Sequence, residues 1–184
     1  MGQRYEKLGE SDKRFIEAQH LFFIASSSGK EVNLSPRGYD SLRLLGDNEA
    51  LFLDYPGSGN RTATDITADG AVTLMFCAFE GKPKIVRLFC KGELADTDTP
   101  EYRALFNPDD LRGMRRFVKL HIYCVEHSCG MSVPFYDYKG EREDLRGWCV
   151  KGEQQGKVEA YIAEHETPPD LDEFRTVTPG AIGK

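Results

Sequence analysis

No apolar run in this chain approaches the roughly 20 residues needed to cross a bilayer, so a spanning helix is not expected. Basic excess is missing too. The formal net charge is −6, which argues against a broad nucleic-acid face, because phosphate neutralisation dominates such binding. No G-x-G-x-x-G unit follows a strand, which removes support for a Rossmann dinucleotide site. The first residues, Met1-Gly2-Gln3-Arg4-Tyr5-Glu6, lack the hydrophobic core of a secretory signal, and a cytoplasmic location is the resulting expectation. Cysteine is sparse and odd in number. Cys77, Cys90, Cys124, Cys129 and Cys149 sit mostly within apolar runs, where free thiols pack as small hydrophobes. Cys124, His127 and Cys129 form C-x-x-H-x-C, which matches no standard zinc spacing, so ordinary packing is the better reading and no metal is expected.

What is present is a soluble globular composition, 40% hydrophobic and 29% charged over 184 residues, enough for one well-buried domain. Glu10 to Ala18 reads as a helix with Ser11 as N-cap and Phe15 and Ile16 facing inward. Leu21 to Ala25 is a compact apolar run closed by Ser26-Ser27-Ser28-Gly29-Lys30, a strand entering a hairpin turn. Glu31 to Ser35 is its return, which Pro36 is expected to stop because proline removes a ladder donor. Ala50 to Tyr55 is a third strand. A helix from Asn60 to Asp69 follows, with Asn60 as cap and Gly70 as terminator. Ala71 to Phe79 and Ile85 to Leu94 form a hairpin around Glu80-Gly81-Lys82-Pro83-Lys84 at the centre of the sheet. Thr99 opens a second helical insert, and Arg116 to Val125 alternates as a last strand with one buried face. Glu141 to Lys151 and Val158 to Glu164 read as helices, followed by a loose tail from Thr167.

Six strands linked mainly by hairpins predict a mainly β (α+β) fold: a six-stranded antiparallel split barrel with Greek-key character, flanked by short helices. Residues 1–184 form one domain, with 135–184 as a C-terminal helical extension and tail.

Val32 to Arg61 is the most telling stretch. Arg37 and Arg61 lie where strands end, each beside small residues that let a ligand approach the backbone, and Arg61 opens a helix whose free N–H groups favour phosphate. A phosphorylated cofactor is the inference. Taken alone, Arg37 reads equally as a loop cation or a partner for Asp40, Gly57 to Arg61 as a turn, and Arg87 as a strand residue facing solvent.

The motifs Val32-Asn33-Leu34-Ser35-Pro36-Arg37-Gly38, Leu53-Asp54 with Gly57 to Arg61, Val72 to Phe76, and Arg87-Leu88-Phe89 with Lys91-Gly92 resemble the pyridoxamine 5′-phosphate oxidase-related, FMN-binding split-barrel family. The resemblance covers Phe22 to Leu94, and more weakly extends to Pro134. It implies an FMN-dependent oxidoreductase acting on a small molecule, and a homodimer with the cofactor at the subunit interface. By the same resemblance Arg37 and Arg61 contact the FMN phosphate, while Asn60 and Thr62 add donors at the helix start. Ser35, Asp54 and Ser58 are candidates for the ribityl chain and ring edge, and Arg87 reaches cofactor held mainly by the other subunit. No catalytic acid or base is assigned. Val32 stands where the oxidase proper carries the first residue of a basic pair, and the chain ends Pro179-Gly180-Ala181-Ile182-Gly183-Lys184 without that enzyme's Arg-Leu-Ala-Pro ending, so its substrate is not transferred. A non-catalytic flavin-binding or flavin-sensing protein, or a barrel holding deazaflavin F420 or haem, stands as the alternative.

Overall fold

A computed structural model describes residues 2–172 of the chain. The end of the tail, including Pro179 to Lys184, lies outside the described residues. The elements in order are β1 (Gln3–Tyr5), α1 (Glu10–Glu17), β2 (Phe22–Ser27), β3 (Asn33–Arg37), β4 (Leu42–Leu44), β5 (Glu49–Asp54), α2 (Arg61–Thr67), β6 (Ala71–Cys77), β7 (Ile85–Ala95), α3 (Pro100–Arg103), β8 (Arg116–Ser128), α4 (Asp144–Glu153) and α5 (Lys157–Glu164).

All strand pairings are antiparallel, and the sheet runs β3-β2-β6-β7-β8-β5-β4, with β1 added to the far half of β8. Curled on itself, it is the split barrel expected from the hairpin pattern. The chain leaves one edge after β3, starts β4 at the opposite edge, and returns through α2 to β6 beside β2. The described residues hold eight strands and not six: β1 and β4 are three-residue strands too short to carry an alternating pattern.

Pro36 does not stop its strand. It sits inside β3 opposite Phe23, and β3 is an edge strand, where an absent N–H costs no ladder bond. The helix caps also differ from expectation. Gly9, not Ser11, precedes α1, and its N–H donates to Asp12 Oδ2 at 3.2 Å. In α2 the left-handed residue at the end is Asp69 (φ 55°), while Gly70 serves close approach: a Cβ there would meet Ser27 O at 2.6 Å and Asp65 O at 2.7 Å.

Two apolar clusters share β8. The larger fills the barrel and includes Phe22, Ile24, Phe52, Leu74, Leu88, Leu120 and Val125 against Ile16 of α1. The smaller lies under the 96–115 segment and joins Leu51, Leu53, Phe106, Met114 and Phe117. Strand β8 reaches both because alternate residues face opposite sides, Phe117 the smaller and Val118, Leu120 and Ile122 the larger, and a bulge then returns Val125 to the larger. Phe89 pairs with Cys124 and Cys90 with Ile122, so Tyr123 is an extra residue that flips the phase of everything after it. On the outside, α4 packs Cys149 against Gly113, whose φ of 67° and missing Cβ make room for the thiol. All five cysteines are free.

Candidate functional site

Strand alternation divides the candidate residues before any side chain is considered. On β3, Asn33, Ser35 and Arg37 stand opposite Ser26, Ile24 and Phe22, which are buried inside the barrel, so the three share the inner face. Arg37 then meets the end of β5. Its Nη2 donates to Asp54 Oδ1 at 3.2 Å, and Asp54, only 4% exposed, lies 3.8 Å from Arg116 Nε on the facing rung of β8. The 55–60 turn closes the other side, held where Arg115 Nη2 donates to Gly57 O at 3.1 Å.

The result is a cavity of about 330 Å³. Ser35, Arg37, Asp54, Ser58, Asn60, Arg61 and Thr62 all line it, and so does Arg115. Seven of the eight residues named from the sequence therefore meet in one place. Arg87 does not. It stands in register with Met75, Phe23 and Pro36 on the outer face of the sheet, where Nη1 donates to Ser128 Oγ at 2.9 Å and lies 3.6 Å from Glu126 Oε1.

Beneath the cavity runs a buried polar network. Asn33 Nδ2 donates to Thr62 Oγ1 at 3.0 Å and to Ser26 Oγ at 3.2 Å, and Ser26 Oγ donates to Asp65 Oδ2 at 2.7 Å. Thr62 is thus a structural partner of Asn33, and its hydroxyl braces the floor. Asn60 is no side-chain cap either. It adopts φ 41°, and its Nδ2 donates to Glu166 O at 2.5 Å, while Arg61 Nη2 donates to Pro169 O at 2.8 Å. Both groups face the 166–172 segment and stand at the cavity's rim.

Charge in the cavity is unbalanced. Three guanidinium groups, those of Arg37, Arg115 and Arg116, surround the single carboxylate of Asp54. Burial pushes that carboxyl above the usual carboxylate range, against the pull of Arg37, Arg116 and Arg115, and the same burial lowers Arg115. The Nε atoms of Arg37, Arg115 and Arg116 are buried and make no hydrogen bond among the described residues. Buried donors without acceptors cost free energy, of the order of 1–3 kcal/mol each. Arg37, Arg61 and Arg115 line the cavity against one carboxylate, and that surplus of positive charge fits a phosphate group. Arg115 and Arg116 were not among the residues singled out from the sequence. The signal was the Arg-Arg pair itself, directly before the alternating run of β8.

No family model matches the chain. It is 34% identical over 140 residues to the pyridoxamine 5′-phosphate oxidase family protein ustO of Aspergillus flavus, a match that covers 72% of this chain and 56% of that protein. The chain therefore spans little more than half the length of this curated relative. Among solved structures, a candidate pyridoxamine 5′-phosphate oxidase from Lactobacillus delbrueckii superposes with a TM-score of 0.52 at 16% identity, covering 66% of this chain and 94% of that one. A variant of HupZ from Group A Streptococcus gives 0.52 at 18% identity over 65% of this chain and 98% of that one. These two likenesses concern the fold. Taken with the curated relative and with the sheet order described above, they lead to one statement of kinship: the chain belongs to the pyridoxamine 5′-phosphate oxidase family.

Proposed function

We propose that this protein is an FMN-binding flavoprotein that works as a homodimer and catalyses oxidation or reduction of a small molecule. The observation that carries the reading is the meeting of Arg37, Arg61 and Arg115 around one cavity whose lining holds a single carboxylate, that of Asp54. Arg37 and Arg115 would hold the phosphate through charge-assisted hydrogen bonds, which are the strong kind and carry geometry as well as energy. Asp54 sets the spread of the guanidinium groups, and Asn33 with Thr62 stiffens the floor. When bound, the flavin supplies two-electron redox chemistry that the side chains do not possess. No acid or base of the protein is assigned a step.

The dimer is supported by the outer face of the sheet. Leu34 is 63% exposed, and Phe23, Met75 and Phe89 are only half-buried there, an apolar surface a second copy would cover. Arg87 stands on this face and Arg37 on the other, so in one chain they address different spaces. Arg87 of one subunit could therefore serve cofactor held by its partner, as the family resemblance implies.

Titrating the purified protein with FMN and with riboflavin tests the reading. FMN is expected to bind at least about 10²-fold more tightly, since only FMN carries the dianion and a tenfold change corresponds to about 1.4 kcal/mol. Equal affinities, or a haem absorption spectrum from the purified protein, would overturn it.

A further inference from the structure

The 166–172 segment stands out because two of the groups it touches, Asn60 and Arg61, line the arginine cavity. Asn60 Nδ2 and Arg61 Nη2 donate to its carbonyl oxygens, on Glu166 and Pro169. Arg116 Nη2 lies 3.5 Å from the Glu166 carboxylate, and Lys30 Nζ lies 3.4 Å from that of Asp172. In each of these four contacts the barrel gives the proton and the segment gives the oxygen. Its sequence suits that polarity, for Glu166-Thr167-Pro168-Pro169-Asp170-Leu171-Asp172 carries three acids and two prolines, and proline offers a carbonyl without an N–H.

The two ends of the segment are held differently. Its root follows α5, where Trp148 packs edge-on to Tyr161 and Tyr161 stacks on His165. Helix α4 is fixed in turn to the barrel by Glu153, which accepts from Arg112 at 2.8 and 3.0 Å and from the Gly113 N–H at 2.8 Å. At the other end the Lys30 and Asp172 side chains are both more than half exposed, and such pairs contribute little.

We infer that residues 166–172 are an internal strap that competes with the cofactor phosphate for the Asn60 and Arg61 donors at the rim of the arginine cavity, so that FMN binding and release of the strap are one event. The inference rests on the function proposed above. Glu166 is the pivotal group: its carboxylate sits on Arg116, the guanidinium that also faces Asp54, and so adds a second negative charge to the side of the cavity an incoming dianion must approach. Asn60 and Arg61, which the family resemblance gives to the phosphate, become free for it only when the strap leaves. The strap lowers apparent affinity by the fraction of molecules in which it is docked, the ordinary cost of a binding-competent state that is partly populated.

The test uses the full chain. Glu166 is largely exposed, so Glu166→Gln leaves the fold intact. The variant is expected to bind FMN about fivefold more tightly, as removal of one partly screened charge allows, with riboflavin affinity unchanged. In the wild-type protein, saturation with FMN is expected to speed limited proteolysis within residues 166–172. Unchanged or weaker FMN binding by Glu166→Gln overturns the strap, as does slower cleavage of the segment with FMN bound. Arg37→Ala separates the two failures. If it loses FMN while Glu166→Gln matches wild type, the strap alone falls; if both variants match wild type, the cavity is not the phosphate site and both readings fall.

Discussion

Replacing Arg37 with alanine is expected to weaken FMN binding by about 10²-fold or more, because two charge-assisted hydrogen bonds of about 1.5–3 kcal/mol each are at stake. Riboflavin binding should change by less than about threefold, since it offers the same ring system without the dianion. Arg37→Lys keeps the charge but not the planar fork, and an intermediate loss is expected. Arg61→Ala is expected to cost less than Arg37→Ala. Arg61 stands at the rim with Nη2 already on Pro169 O, whereas Arg37 enters the cavity with its Nε buried and unused. Fluorescence titration of the three variants checks the order. Equal losses at Arg37 and Arg61 would mean that the rim and the interior hold the phosphate alike.

Asp12→Ala is expected to lower folding stability by about 2–3 kcal/mol, measured by urea denaturation at neutral pH. Asp12 is buried, and one carboxylate ties three parts of the chain together: Oδ2 accepts the Gly9 N–H that caps α1, and Oδ1 lies 2.9 Å from both Lys84 Nζ, just before β7, and His127 Nε2 on β8. The figure is set below the full cost of breaking a buried pair because Lys84 and His127 keep some contact with water. Burial works to raise the Asp12 carboxyl, but Lys84, the Gly9 N–H and His127 outweigh it and hold the group below the ordinary carboxylate range. A depressed folded pKa gives stability that is present above the unfolded pKa and lost as pH falls through the folded value. The gap between wild type and Asp12→Asn should therefore close as acid is added below the ordinary carboxylate range. A gap independent of pH across that range would show that the charge of Asp12 contributes nothing.

What the sequence revealed follows physical range. The β6–β7 hairpin and β5 were legible because apolar runs bounded by Gly and Pro are local signals, and the cavity was legible because Arg37 and Asn60-Arg61 lie beside such boundaries. Pro36 misled because its cost depends on whether the strand has a neighbour on its N–H side, a fact of sheet order. Arg115 and Arg116 escaped notice for a similar reason: the pairing of Asp54 with Arg116, across 61 intervening residues, is what brings Arg115 to the cavity and Arg116 against Asp54. Asp12 looked like an ordinary first-turn acid, since nothing nearby in sequence announces Lys84 and His127. Tyr123 marks the limit of pattern reading, because a bulge changes the phase of alternation without any change in composition.

Strand β8 bonds to β7 along one side and to β5 and β1 along the other, and it borders both apolar clusters. Partial openings that fray an edge leave such a strand protected, so it belongs to the last cooperative unit to yield. Arg116 is its first residue, and Arg115 precedes it directly. One wall of the arginine cavity is thus anchored in the most persistent part of the molecule, while Asn60 and Arg61 at its rim belong to a turn and the first residue of a short helix. Ligand exchange can proceed by small excursions at the rim, with no loosening of the barrel behind it.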